Sequence, residues 1–193
     1  MEKYRLEGKT FVIDDYDKMP AFSSFLPGLA GVKGIPMWTF YTNRGQGMNS
    51  FGIDNKGNAI MEFNSANTAF ENTTVKGFRT FLKIDGEYYE PFFKYEKEAK
   101  RQIRMNKNSF KIIETNEKYG IEVTVNYFIL PNESIGALIR QVSVKNISDK
   151  AKDVEIIDGL PKIITYGISN GEFKDKENIL KLKSNDKFEC EYK

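Results

Sequence analysis

The chain of 193 residues contains no histidine and a single cysteine, Cys190. Without histidine there is no Ser–His–acid triad, no imidazole base and no His-ligated zinc. One cysteine closes no internal disulfide and builds no Cys₄ or Cys₂His₂ metal site. A lone thiol in a disulfide-free chain suits a reducing compartment, and the expected location is cytoplasmic. The N-terminal MEKYRLEGKTF has no apolar core of signal-peptide type, and no apolar stretch approaches the roughly 18–20 residues of a membrane-crossing helix. An excess of one charge is also missing. There are 29 basic and 27 acidic residues, a net charge of +2, which leaves no electrostatic footprint for nucleic acid or an anionic membrane. The sequence predicts no metal, no cofactor, no nucleic acid partner and no membrane.

Aromatic residues are plentiful: 15 Phe, 10 Tyr and one Trp, 13% of the chain. Such side chains fit a pleated, half-buried surface, and strand patterns dominate the chain. In residues 120–130 (GIEVTVNYFIL), Ile121, Val123, Val125, Tyr127 and Ile129 face one way and Glu122, Thr124 and Asn126 the other. That is the period of two a sheet with one buried face requires. Residues 135–146 alternate Leu138, Arg140, Val142 and Val144 with Ile139, Gln141, Ser143 and Lys145. Shorter strands are predicted over 10–13, 36–42 and 153–157. Two hairpins are expected: 48–53 with 59–63 around a 54–58 turn, and 78–84 with 87–95 around Asp85-Gly86.

Other segments read differently. Residues 95–104 (YEKEAKRQIR) hold good helix formers without an apolar stripe, and fit a helix or a charged strand entry equally. Residues 21–34, rich in glycine and proline towards their end, read as a long ordered loop. The last residues, 187–193 (KFECEYK), alternate like a strand, which suggests one piece of a longer polypeptide or the last strand of a complete sandwich. Antiparallel neighbours joined by short turns make a single all-β sandwich domain over 1–193.

Chemistry-bearing motifs are sparse. Ser23, Ser24 and Ser50 lie in no Gly-x-Ser-x-Gly elbow. Asp14-Asp15-Tyr16-Asp17 has the carboxylates of a glycosidase pair or half a calcium loop. It lacks the loop glycine and terminal Glu of an EF-hand, and reads best as a solvated loop that ends a strand. Asn43-Arg44-Gly45-Gln46-Gly47 is a GxG turn without the P-loop lysine or a following helix. Its glycines permit close backbone approach, and its arginine fork suits a carboxylate, a phosphate or sugar hydroxyls. Asn43, Arg44 and Gln46 are therefore the candidate substrate-binding residues, against a turn whose glycines serve only the turn. Trp38, Phe40 and Tyr41 offer faces for a sugar ring, but core packing is the commoner fate of Trp38 and Phe40. No residue qualifies as catalytic.

The strings FSSFLPGLAG, GIPMW and NRGQG in residues 20–70, with GFRTFLKI at 77–84 and YGIEVTVNYFILPNE at 119–133, resemble the N-terminal region of the 1,2-β-oligoglucan phosphorylases. These belong to glycoside hydrolase family 94, the cellobiose phosphorylase-like group, with related cyclic glucan synthases. The resemblance implies an antiparallel β-supersandwich of galactose-mutarotase-like type. It also implies a following helical linker and (α/α)₆ barrel, which carries the catalytic aspartate and the phosphate site. A β-glucan oligosaccharide, that helical catalytic domain and a second copy are then the expected partners. The chain itself is expected to shape the cleft, with Asn43, Arg44 and Gln46 facing it. The alternatives are a freestanding carbohydrate-binding module and a dimerisation module.

Overall fold

In the computed structural model, which describes residues 3–51, 65–93, 98–161 and 163, the strong period-two segments form the centre of a six-stranded sheet. Its strands are β1 (Tyr4–Glu7), β2 (Thr10–Asp14), β8 (Lys100–Met105), β9 (Ser109–Asn116), β10 (Ile121–Leu130) and β11 (Ala137–Asn146). They lie in the order β1-β2-β8-β9-β10-β11, and every neighbouring pair is antiparallel. Two three-stranded antiparallel sheets complete the fold. One is β3 (Ser23–Ala30), β4 (Ile35–Thr42) and β5 (Gly47–Phe51); the other is β12 (Val154–Gly159), β6 (Arg79–Ile84) and β7 (Glu87–Tyr89), in that order.

The core lies between these sheets. Ile103, Phe110, Ile112, Ile121, Val123, Val125 and Tyr127 come from the large sheet, Leu26 from β3, Leu82 and Ile84 from β6, and Tyr89 from β7. The Phe110 and Tyr127 rings stack at 4.6 Å. The protein is an all-β sandwich, as its patterning predicts. The second hairpin is present too: Ile84 pairs Glu87 across Asp85 and Gly86, whose φ angles of 49° and 91° suit a tight hairpin turn.

Residues 21–34 are not a loop over their whole length. β3 pairs with β4 residue by residue from Ser23↔Thr42 to Ala30↔Ile35. It is an edge strand, where Pro27 can point its missing donor away from the ladder. The charged segment 95–104 supplies no helix among its described residues; it enters β8 at Lys100. The one described α-helix, α1 (Ala66–Lys76), falls where no helix is predicted. Ser65 caps it by accepting from the Thr68 N–H at 3.3 Å. Ala69 and Thr73, four apart, are buried, and Ala69 packs with Phe40 and Met48 on the outer face of β3-β4-β5, with Trp38 alongside. Packing, more than its Asn- and Thr-rich sequence, therefore favours this helix. Gly77 joins α1 to β6 at a place without room for a side chain. A Cβ there would press on the Thr73 carbonyl and lie 2.7 Å from the Gly47 carbonyl. The second arm of the first hairpin and the strand-like end at 187–193 lie outside the described residues. No described helix is long and apolar enough to cross a membrane.

Candidate functional site

The predicted turn at 43–46 joins β4 to β5 and is fixed from several sides. Gly45 has φ +64°, a left-handed conformation that glycine adopts without strain. The Thr42 hydroxyl donates to the Arg44 carbonyl at 2.6 Å and accepts from its N–H at 3.2 Å. Arg44 Nε donates 2.7 Å to the Phe70 carbonyl on α1, and its guanidinium lies 4.0 Å from the Phe70 ring centre. Asn43 Nδ2 donates 3.0 Å to the Met19 carbonyl.

Gln46 is buried. Its Nε2 donates to Thr80 Oγ1 at 3.0 Å, and its carbonyl accepts from Arg140. Arg140 also donates 3.1 Å to the Tyr127 hydroxyl and pairs with Asp158, and its side chain is 7% exposed. Thr80 Oγ1 closes the network by donating 2.6 Å to Asp158. Each member satisfies another, as a buried polar network requires. Gln46 therefore holds the turn to β6 and β11, which Asp158 links on to β12.

Beside the turn is a cavity of about 250 Å³ lined by Tyr16, Asp17, Met19, Ala21, Asn43, Arg44, Phe70, Phe92 and Arg101. Asn43 and Arg44 thus meet at one site; Gln46 lies away from it. The Asp14–Asp17 stretch does not form the solvated loop expected of it. After β2, Asp15 turns the chain with φ 48° into a 3-10 helix, Tyr16–Lys18, which buries the Tyr16 ring. Asp17, 20% exposed at its side chain, pairs with Arg101 at 2.8 Å.

Arg101 is buried on the inner face of β8, opposite Glu114 on β9. Its Nε lies 2.5 Å from Glu114 Oε2, and its Nη2 donates 2.8 Å to the Phe93 carbonyl. Glu114 also accepts from the Phe92 N–H at 2.7 Å and is hydrogen-bonded to Tyr89. Burial pushes the Glu114 carboxyl up to about 8, and nearby Asp17 adds to this, while the Phe92 N–H opposes it. Two carboxyls share one guanidinium, so a proton retained on Glu114 leaves the cluster neutral. Burial likewise pushes the Tyr16 hydroxyl far above its usual range, so it stays protonated. Phe92 has φ 66°, a strained conformation for an aromatic residue, and its N–H bond to Glu114 is one contact that fixes it.

Arg101, Glu114, Tyr16 and Phe92 are absent from the sequence-based candidates. A signal for two of them exists. Arg101 precedes Ile103 by two, and Glu114 follows Phe110 and Ile112 by fours and twos, so both occupy inward positions of period-two strands. Three buried polar atoms in the cavity-lining residues have no hydrogen-bond partner among the described residues: Tyr16 Oη, Asp17 Oδ1 and Asn43 Oδ1. Each such atom costs about 1–3 kcal/mol. Among the described residues no cluster of acidic or cysteine side chains suits a metal ion. No protein-family model and no curated protein matches the chain.

Proposed function

We propose that this chain is the N-terminal β-sandwich, of galactose-mutarotase-like supersandwich type, of a carbohydrate phosphorylase acting on β-1,2-glucan oligosaccharides. The observation that carries the reading is the turn at 43–46. It belongs to the NRGQG string of the family resemblance, and it is pre-set by Thr42, Phe70, Met19, Thr80 and Arg140. A turn held this firmly suits a wall that orients substrate, because positioning lowers a barrier when geometry is fixed beforehand. It does not make a catalyst. Phosphorolysis breaks the glycosidic bond, places phosphate on the anomeric carbon and delivers a proton to the leaving oxygen. The carboxyls gathered here, Asp17 and Glu114, are both engaged to Arg101, and Glu114 has no exposed side-chain surface. The acid then belongs to the helical (α/α)₆ domain of the same polypeptide.

A second feature favours an inter-domain or subunit contact. On the outer face of β12-β6-β7, Phe81 pairs with Ile157, and these are 39% and 73% exposed. Apolar groups left open together mark docking surfaces, and we assign this one to the helical domain. Sedimentation of the chain as a concentration-dependent dimer would assign it to a second copy instead.

The test is phosphorolysis. The polypeptide that carries this domain, given 1,2-β-glucan oligosaccharides and inorganic phosphate, is expected to release glucose 1-phosphate, and the 193-residue chain alone to release none. Absence of product from the whole polypeptide defeats the assignment.

A further inference from the structure

We propose that the cavity between the 3-10 helix, the 43–46 turn and α1 binds a small monocarboxylate, whose carboxylate pairs with the Arg44 guanidinium and whose apolar body fills the space beside it. The chain has six arginines. Five of them pair with Asp or Glu side chains. Arg44, half-buried on the cavity wall, has no carboxylate partner among the described residues. Its guanidinium is nevertheless fixed. Nε and Nη2 both donate to the Phe70 carbonyl, and the group lies 4.0 Å from the Phe70 ring centre. A guanidinium carries five N–H groups, so those of Nη1 and the second of Nη2 are left without a protein acceptor. Nη1 keeps accessible surface, unlike the buried Tyr16, Asp17 and Asn43 oxygens. The free Nη1–Nη2 edge is the fork that matches the two oxygens of a carboxylate.

The charge count selects a monoanion. Asp17 pairs with Arg101 at 2.8 Å, and these two cancel. Glu114, on the other side of Arg101, is wholly buried and keeps its proton at neutral pH. The positive charge of Arg44 is left over among the lining residues. The walls select the body of the ligand. Met19, Ala21, Phe70 and Phe92 are apolar. The volume of about 250 Å³ exceeds the roughly 150 Å³ that holds benzene in an apolar cavity, so one ring fits. Phosphate offers no apolar body to these walls, and a neutral ligand leaves Arg44 uncompensated. The site shares Arg44 with the proposed substrate wall, so a bound carboxylate withholds that fork from an oligosaccharide. The inference itself goes beyond the phosphorylase reading and does not rest on it.

The experiment titrates benzoate, benzyl alcohol and inorganic phosphate separately into the 193-residue chain, followed by amide shifts in NMR spectra. Benzoate is expected to bind saturably, shifting residues 19–21, 43–45 and 70. Benzyl alcohol has the ring without the charge, and phosphate has charge without the ring; each is expected to bind at least roughly tenfold more weakly. Added salt is expected to weaken benzoate, since its contact is an ion pair. Arg44→Gln is expected to weaken benzoate by roughly tenfold or more, and Arg44→Lys, which keeps the charge and loses the fork, by less. Urea midpoints of both variants show whether they fold. The comparison of benzoate with benzyl alcohol needs only the wild-type chain, so it decides the matter even if Arg44→Gln unfolds. The proposal is overturned if benzoate gives no saturable shift at these residues, if benzyl alcohol or phosphate binds there as tightly, or if a folded Arg44→Gln binds benzoate as wild type does. Benzoate binding is read without glucan or phosphate, so failed phosphorolysis and a failed carboxylate site are separate results.

Discussion

Glu114 shows how one side chain can set the response of the fold to pH. Its carboxyl is raised to about 8 by burial, above the unfolded value near 4.5. Between those values the folded chain keeps a proton that the unfolded chain releases. The stabilising contribution is therefore fully present below about 4.5 and is lost as pH rises through about 8. Urea midpoints measured from pH 5 to 9 are expected to fall for wild type and to stay flatter for Glu114→Gln, which is neutral throughout. An equal fall in both would show that Glu114 is already ionised beside Arg101. Arg101→Met removes the shared cation and leaves Glu114 and Asp17 facing each other. Its expected cost is about 3–5 kcal/mol in denaturant unfolding, and a loss within ~0.5 kcal/mol would contradict the network.

At the scale of elements, what the sequence made legible followed from which physical rule governed each segment. β10 and β11 were readable because one face is apolar and the other polar, so the period of two survives intact. β3 was hidden because Pro27 and Gly28 signal a loop, yet an edge strand tolerates both. α1 was hidden because it buries only Ala69 and Thr73, of which Ala69 packs on Phe40 and Met48, too few apolar positions to make a stripe. The site was half legible. Asn43 and Arg44 were found from the turn chemistry, whereas Arg101 and Glu114 look like surface charges until their inward register is counted. Two substitutions test this packing. Leu82→Ala, in the core between the sheets, is expected to cost about 2–5 kcal/mol, and Leu29→Ala, 66% exposed on β3, less than about 0.5 kcal/mol. Gly77→Ala is expected to destabilise by roughly 1–3 kcal/mol, because the Thr73 and Gly47 carbonyls leave its methyl group no room. Calorimetric or urea unfolding of the three variants checks the order, and a tolerated Gly77→Ala would mean that α1 and β5 are not tightly joined.

For the whole molecule, three sheets place the 43–46 turn at the meeting point of two polar networks. The Arg140 network braces it through Gln46, and the cavity wall braces it through Asn43 and Arg44. Under the proposed function, such a domain would contribute shape and orientation to a reaction whose acid is supplied by another domain. The most direct measurement of that proposal is the kinetics of Arg44→Ala in the proposed longer polypeptide, with 1,2-β-glucan oligosaccharide and phosphate as substrates. The account predicts that glucose 1-phosphate still forms, with KM for the oligosaccharide raised roughly tenfold and kcat changed far less. An unchanged KM, or a kcat abolished at unchanged KM, would contradict a substrate-orienting wall.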